Sequence, residues 1–575
     1  MKWRITILII CFGISYLFLI SRLYNIQFNQ NAHYVAEAES QQIASGGIKP
    51  NRGNIYFTDK NNNLIQAVLN KEYPLIYAVP KEIREEAKKR GISAQNYAEQ
   101  LAPIINQSAS DLEKKFNKPN SLFELLVFKA ADNQVEAVDS LNLKGIYIKN
   151  QISRYYPFGD LASHLLGFVS PLDGSEAAGS PYDEKGRYGI EAFFDKELRG
   201  ESGEIKGDKI ISSSDGKNFV LTIDRNIQAE SEEILKKLIG NWEAEAGSII
   251  VQNPRNGKIL AMTSFPDFDP NNYSKSDIKN FLNPAVQAIY EPGSVFKIIT
   301  MAAGIDSGKI TPDTIYIDTG SAIINGRKIM NWDKKAHGLQ TMGGVIEQSI
   351  NTGSIFAEKT MGHDIFYDYL KKFNFDKLTN IELPGELKGD LRNLKKGKDV
   401  NFATASFGQG IAVTPVRLIT AVSAIANGGS LMKPLILNDG KEEVVGRVIS
   451  EETARKVANM MVSAVKKNII ADIPNYSVAG KTGTAFVPDF VKGGYTEEVI
   501  NTYVGFAPAC VKTSADAKAL ADKSAGKPAC NPKFVILIKL DKPAGAPLAG
   551  QTVVPAFREL AQFILNYYNI APDGL

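Results

Sequence analysis

The sequence predicts an α/β (α+β) fold: a domain with a mainly antiparallel sheet and a helical subdomain, preceded by a mixed α/β region and one N-terminal transmembrane helix. Three patterns support this fold class. Residues 246–262 predict a hairpin around an Asn-Gly turn. Residues 503–508 and 534–540 are apolar runs typical of strands. Residues 295–305 are almost wholly apolar, which indicates a helix that is buried on all sides.

The N-terminus predicts an uncleaved membrane anchor. Lys2 and Arg4 precede an uncharged run over residues 5–20, slightly shorter than the roughly 20 apolar residues that cross a bilayer. No small-residue cleavage site follows, although a cleaved signal peptide is the alternative. Positive residues at the start favour a cytoplasmic N-terminus. We therefore expect a short tail and anchor over residues 1–23, a single pass through the cytoplasmic (inner) membrane, and the rest of the chain outside the cytoplasm.

Two further domains are predicted after the anchor. Residues 24–220 mix short alternating strands with polar helical stretches such as residues 82–90. A turn-rich, charged stretch at 200–217 then precedes a strand-like run, and we place the start of the second domain, residues 221–575, there. A chain of 575 residues with 44% hydrophobic content has ample length for several cores.

Composition excludes several classes of function. The net charge of +3 is too small to indicate nucleic-acid binding, and no basic stripe with interleaved aromatic residues occurs. The four histidines lie far apart without metal-ligand spacing, so no metal site is expected. No phosphate-binding loop is present either, and the sequence predicts no cofactor.

Three cysteines occur, one in the anchor and two around an insertion. Cys510 and Cys530 bracket a polar, Lys-rich segment between the two late strands. A disulfide would close a loop of about 20 residues and constrain the unfolded chain by roughly 3 kcal/mol. Free thiols are the alternative, because sequence gives no geometry.

The first chemical motif is Ser294-Val295-Phe296-Lys297, which follows a Pro-Gly break. Residues three apart share one face of a helix, so Lys297 is expected beside the Ser294 hydroxyl. Burial disfavours the ammonium form, and a neutral lysine can take the hydroxyl proton as the serine attacks a carbonyl. The alternative is a core helix with a snorkelling lysine, since the same spacing recurs at five other serines.

Two weaker motifs follow in order. Ser349-Ile350-Asn351 lies where a helical pattern ends in small residues, and alone it is typical of a loop or cap. Lys481-Thr482-Gly483-Thr484 predicts a strand whose glycine allows close approach to a ligand; a sheet edge with a surface lysine is the alternative. Together with Ser294 and Lys297, they supply a nucleophile, proton carriers and a carboxylate site.

The ordered set of three motifs resembles the active site of the penicillin-binding protein and serine β-lactamase superfamily. Residues 401–415 are similar to a segment that these transpeptidases carry between the second and third motifs. Further stretches at 50–55, 154–157, 162–164 and 189–191 resemble the N-terminal pedestal of class B penicillin-binding proteins. The resemblance implies a serine transpeptidase domain over 221–575 and an elongated, dimerisation-type pedestal over 24–220.

The resemblance also implies catalytic roles. Ser294 would be the acylated nucleophile and Lys297 its proton acceptor. Ser349 would relay a proton to the departing D-alanine. Asn351 would hold Lys297 and the substrate peptide.

Further implied roles concern substrate binding. Lys481, Thr482 and Thr484 would bind the terminal carboxylate, with Gly483 between the two threonines. Backbone N–H groups of Ser294 and Thr484 would form an oxyanion hole, which typically contributes about 3 kcal/mol per donor.

The activity implied by the resemblance is that of a monofunctional peptidoglycan D,D-transpeptidase, inhibited by β-lactams, which cross-links stem peptides in septal wall synthesis. Its expected partners are the membrane, a glycosyltransferase and division-complex proteins. The alternatives are a lateral-wall transpeptidase, a D,D-carboxypeptidase and a catalytically silent division scaffold. The intact serine and lysines argue against the scaffold, and no additional base indicates a β-lactamase.

Overall fold

The computed structural model describes most of the chain after residue 49. The described residues are 3, 13, 15, 16, 19, 50–91, 93–119, 121, 123–171, 184–206, 209–489, 491–509, 532–545 and 547–573. The predicted anchor at 1–23 lies almost wholly outside them, as do Cys510 and Cys530. Across the described residues, no helix has the length and apolar character that crossing a membrane requires.

Two compact units make up the chain, residues 68–157 and residues 1–67 with 158–575. The predicted boundaries after residues 23 and 220 are a different division, and they stay a prediction. β1 (Ile55–Thr58) lies in the larger unit.

The smaller unit packs four helices on an antiparallel sheet. Its elements are β2 (Ile65–Ala78), α1 (Pro80–Arg90), α2 (Ala94–Ile105), α3 (Ala109–Phe116), β3 (Glu124–Val127), α4 (Asp132–Ser140) and β4 (Ile146–Tyr155). β2 pairs antiparallel with both β3 and β4. Ser93 and Ser108 cap α2 and α3 by accepting hydrogen bonds from backbone N–H groups three residues on. The apolar faces of the helices meet in one core around Leu101 and Phe116.

After residue 157, the larger unit continues with short elements. They are α5 (Ser163–Leu166), β5 (Val169–Pro171), β6 (Glu184–Gly186), α6 (Gly189–Phe193), α7 (Asp195–Arg199), β7 (Glu204–Lys206), β8 (Lys209–Ile211) and β9 (Phe219–Asp224), which pairs parallel with β1. Arg52 binds this region together, because its guanidinium donates to Glu191 at 2.7 Å and to Asp195 at 2.8 Å. Glu191 has a fully buried side chain, so this ion pair joins the chain before β1 to α6 and α7.

The rest of the larger unit alternates strands and helices. In chain order its elements are α8 (Arg225–Trp242), β10 (Ala246–Gln252), β11 (Ile259–Phe265), α9 (Pro284–Gln287), α10 (Lys297–Asp306), β12 (Ile315–Asp318), β13 (Ser321–Ile324), β14 (Arg327–Met330), β15 (Gly338–Thr341), α11 (Met342–Gln348), α12 (Asn351–Met361), α13 (His363–Lys372), α14 (Asp399–Ala405), α15 (Pro415–Ala426), β16 (Ser430–Met432), β17 (Val444–Arg447), α16 (Glu451–Asn468), β18 (Ala479–Pro488), β19 (Tyr495–Ala507), β20 (Phe534–Asp541) and α17 (Val553–Tyr567).

A five-stranded sheet in the order β11-β10-β20-β19-β18 forms the centre of this unit, and every neighbouring pair is antiparallel. Ile536 and Ile538 of β20 lie in the core formed with α8 and α17. The intervening residues are buried too, because α15 packs against the same strand. The predicted α/β fold with a mainly antiparallel sheet, the Asn-Gly hairpin and the two late strands are confirmed, and the predicted transmembrane helix stays a prediction.

Candidate active site

The nucleophile motif lies on a tight turn that leads into a buried helix. Residues Gly293–Phe296 form one turn of 3-10 helix, and α10 continues from Lys297. Gly293 has φ +56°, a conformation that favours glycine, and its N–H donates to Gly408 O at 3.0 Å. Residues 297–305 are all buried, as the apolar run predicts. Ser294 itself is only half-buried, so its hydroxyl can meet a substrate.

Lys297 is fully buried and contacts the second motif. Its Nζ donates to Ser349 O at 2.5 Å and lies 3.3 Å from Ser349 Oγ. Burial, with a contribution from the charge of Lys481, holds the pKa of Lys297 well below its ordinary value. Within the described part of the chain, no hydrogen bond joins Lys297 to Ser294. Catalytic hydrogen bonds of free enzymes often tighten only with substrate, so the predicted role of Lys297 stands as a prediction.

Ser349 lies at the break between α11 and α12. Its backbone is left-handed, with φ +58° and ψ +42°. The hydroxyl is placed between two lysines, 3.3 Å from Lys297 Nζ and 2.9 Å from Lys481 Nζ. A hydroxyl both accepts and donates, so this position suits a proton relay.

Lys481 is the first residue of the third motif and lies on β18. It is 3% exposed, and its Nζ also donates to Thr482 O at 3.0 Å. Burial lowers the pKa of Lys481 to about 7. Two buried ammonium groups that share one serine hydroxyl repel each other, so the site disfavours the state in which both lysines are charged.

The rest of the third motif lies against the nucleophile turn. A Cβ atom on Gly483 would come within 2.7 Å of Pro292 O and 2.9 Å of Val295 Cγ2, so a glycine permits this close approach. Thr482 and Thr484 are half-buried, and Thr484 Oγ1 accepts from Ala549 N at 3.2 Å. This geometry brings the strand beside Ser294.

Asn351 begins α12 but contacts a different group from the one expected. Its Nδ2 donates to Met330 O at 2.9 Å. Among the described residues, no hydrogen bond joins it to Lys297. No sequence pattern indicates this contact, because its acceptor is a backbone carbonyl 21 residues earlier.

A cavity of about 420 Å³ joins the three motifs. Five predicted site residues line it: Ser294, Ser349, Lys481, Thr482 and Thr484. The other three predicted site residues are not part of the lining: Lys297, which is fully buried, Gly483 and Asn351. No group of three or more His, Cys, Asp or Glu side chains in the described chain is arranged to hold a metal ion.

Sequence reasoning missed Trp332 and His337, which also line the cavity. Trp332 is 54% exposed, and its indole N–H donates to Gln348 O at 3.1 Å. The chain has three tryptophans, and the presence of one in a polar stretch shortly before Ser349 could have indicated a residue of the site. His337 pairs with Asp333 at 3.2 Å and offered no comparable signal.

Comparison with known families gives two matches. Residues 247–544 match the model of the penicillin-binding protein transpeptidase domain, and residues 47–234 match that of the penicillin-binding protein dimerisation domain.

Individual relatives extend over nearly the whole chain. Stage V sporulation protein D of Bacillus subtilis is 31% identical over 95% of this chain and 82% of its own length. Peptidoglycan D,D-transpeptidase FtsI of Escherichia coli is 28% identical, over 100% of this chain and 93% of its own. The crystal structure of penicillin-binding protein 3 from Mycobacterium tuberculosis with aztreonam is similar, with a TM-score of 0.66 and 25% identity; 92% of this chain and 99% of that chain are covered.

Proposed function

Because this chain belongs to the penicillin-binding protein transpeptidase family, we propose that it cross-links peptidoglycan stem peptides through an acyl ester on Ser294, in septal wall synthesis. The enzyme is a serine-type D,D-transpeptidase. The observation that carries the proposed mechanism is the position of the Ser349 hydroxyl between two buried lysines, in the cavity that Ser294 also lines.

Acylation begins with neutral Lys297. This amine accepts the Ser294 proton while Oγ attacks the carbonyl carbon of the penultimate D-alanine. Backbone N–H groups of Ser294 and Thr484 stabilise the negative charge on the carbonyl oxygen. The peptide bond then breaks, and the departing D-alanine takes a proton through Ser349.

Deacylation reverses the proton path. The amine of a second stem peptide attacks the ester carbonyl, loses a proton through Ser349 and Lys297, and forms the new amide. The Ser294 hydroxyl is restored. Lys481, Thr482 and Thr484 hold the terminal carboxylate of the donor peptide during the first step, and Lys481 in its charged form supplies the counter-charge.

Three finer features belong to the proposal. The segment 1–23 anchors the protein in the cytoplasmic membrane, and the catalytic domain lies outside the cytoplasm. A glycosyltransferase and division-complex proteins act with it. Support comes from the charge and hydropathy pattern of the N-terminus and from the full-length likeness to a relative named FtsI.

The test is product analysis with the full chain in detergent, a donor stem peptide ending in D-Ala-D-Ala and an amine acceptor. We expect the cross-linked peptide and free D-alanine from the wild type, and neither from Ser294→Ala. Release of D-alanine without cross-linked product would instead indicate a D,D-carboxypeptidase. Turnover by Ser294→Ala would refute the assigned nucleophile.

Lys297→Ala tests the proton acceptor. Without the amine, Ser294 loses its proposed proton acceptor, so covalent labelling by fluorescent penicillin should be abolished. The variant should still fold at the assay temperature, although the cavity left by a fully buried side chain should lower its melting temperature. Normal labelling of this variant would refute the role of Lys297.

A further inference from the structure

The N-terminus of α12, just after Ser349, lacks a side-chain cap from its own N-cap residue. The residue before α12 is Ile350, whose side chain cannot accept a hydrogen bond. The first N–H groups of a helix have no partner within the helix and need one from elsewhere. Ser349 also has a left-handed backbone, which is unfavourable for a residue with a Cβ atom. Other parts of the fold must therefore hold this turn in place.

Asn331 provides the missing cap. Its Oδ1 accepts from the backbone N–H of Asn351 at 3.1 Å and of Thr352 at 3.2 Å. The neighbours of Asn331 contact the same turn: Met330 O accepts from Asn351 Nδ2 at 2.9 Å, and Trp332 Nε1 donates to Gln348 O at 3.1 Å. Residues 330–332, here called the brace, thus bind both sides of Ser349.

Asp318 fixes the direction in which Asn331 points. Asn331 Nδ2 donates to Asp318 Oδ2 at 2.8 Å and to Lys335 O at 3.0 Å, so Oδ1 must face α12. Both Asp318 and Asn331 are 2% exposed. Asp318 also accepts from the Thr352 hydroxyl at 2.6 Å and from His337 N at 2.9 Å.

The groups around Asp318 stabilise its ionised carboxylate. Burial raises the pKa of Asp318, but hydrogen bonds from Thr352, Gly320, His337 and Asn331 outweigh it and hold the pKa below its ordinary value. The carboxylate therefore stays ionised and acts only as an acceptor.

We propose that Asn331, oriented by Asp318, is a positioning residue that with the rest of the brace fixes the Ser349 hydroxyl between Lys297 and Lys481. The inference rests on the proposed function, in which that hydroxyl relays a proton. The hydroxyl lies 3.3 Å and 2.9 Å from the two Nζ atoms. A displacement of about 1 Å would take it out of hydrogen-bond reach of one lysine, and misplacement of this size commonly costs up to about 100-fold in rate.

The experiment separates non-covalent binding of penicillin from the acylation rate constant in stopped-flow measurements on the full chain. For Asn331→Ala we expect the acylation rate constant to fall by about tenfold or more, while the non-covalent dissociation constant stays within about twofold. A merely structural role would lower the melting temperature without this split.

Ser450→Ala is the matched control. Ser450 caps α16 by accepting from Thr453 N at 3.2 Å, as Asn331 caps α12. The variant should lose thermal stability but acylate at the wild-type rate. Equal slowing of acylation in Ser450→Ala and Asn331→Ala would overturn the inference, as would wild-type acylation by Asn331→Ala.

Trp332→Phe keeps the inference testable if Asn331→Ala does not fold. The side chain is 54% exposed, so a smaller ring should not disturb the core, and the variant loses the N–H donor to Gln348. We expect acylation about threefold slower at an unchanged melting temperature. Should Asn331→Ala fail to fold, wild-type acylation by this variant would overturn the inference. A wild-type protein that penicillin does not label would refute the proposed function instead.

Discussion

At the scale of single residues, the proposed chemistry depends on two buried lysines whose pKa values burial lowers. Lys297 is neutral above a pKa that lies well below its ordinary value, and Lys481 is cationic below a pKa of about 7. When Lys297 is neutral and Lys481 is charged, the site holds one base and one cation. This is the state that the proposed proton abstraction from Ser294 and the proposed carboxylate binding both require.

Acylation by a penicillin should therefore show a bell-shaped pH dependence. In the ratio of acylation rate constant to dissociation constant, which reports the free enzyme, we expect a decline above pH 7 as Lys481 loses its charge. In Lys481→Arg the guanidinium stays charged throughout this range, so the alkaline decline should disappear. This expectation concerns the shape of the pH profile and holds even if the variant acylates more slowly than the wild type. An unchanged decline near pH 7 in Lys481→Arg would contradict the assignment to Lys481.

The sequence predicted the separate motifs but not the groups that hold them. Ser294 and Lys297 are three residues apart, and Lys481 begins a strand-like run, so local patterns carry these predictions. The hydrogen bonds of Asn331 to α12 join a side chain to backbone groups about 20 residues away. The course of the chain between them cannot be predicted from local sequence. No local pattern encodes such a contact.

At the scale of elements, β18 and the nucleophile turn are fitted to each other. Gly483 lies against the turn at Pro292 and Val295, and Gly408 lies against Gly293 on another side. The separation between Ser294 and β18 therefore depends on the absence of side chains at these positions.

Gly483→Ala should push β18 away from the nucleophile turn, because the new Cβ would come within 2.7 Å of Pro292 O. We expect slower penicillin acylation, by about tenfold or more, since the oxyanion donors and the nucleophile would separate. Gly446→Ala is the control, because a Cβ on this β17 glycine meets no atom within 4 Å. Equal acylation rates in both variants would contradict the proposed contact.

The elements that sequence could predict are those with strong local periodicity. The apolar helix α10, the β10–β11 hairpin and strands β19 and β20 follow directly from such patterns. The pairs β12–β15 and β13–β14 were not predicted. Their strands have only four residues each, and isoleucines at 317 and 323 are 72% and 75% exposed, so hydrophobic alternation does not mark a buried face.

At the scale of the whole molecule, stability depends on a buried carboxyl group far from the catalytic motifs in sequence. Glu232 on α8 is 8% exposed and accepts from Ala162 N at 2.7 Å and from Gln228 Nε2 at 2.8 Å. Burial raises the pKa of Glu232 to about 7. The neutral acid is thus the form that the fold stabilises.

This pKa shift makes unfolding pH-dependent. The folded pKa lies above the unfolded value, so the contribution of Glu232 is complete below about pH 4.5 and is lost as pH rises through 7. Glu232→Gln keeps an acceptor oxygen without the charge. At pH 8 we expect a higher melting temperature than that of the wild type, with a gain of up to about 3 kcal/mol in the free energy of unfolding. Near pH 4.5 the two proteins should melt at the same temperature. A difference that is constant across pH would contradict the assignment.

The most direct measurement of the central claim is mass spectrometry of the protein after reaction with penicillin. A single covalent adduct should form in the wild type, and peptide mapping should place it on Ser294. The adduct should be absent from Ser294→Ala and from Lys297→Ala. An adduct on any other side chain, or none in the wild type, would contradict the proposed active site.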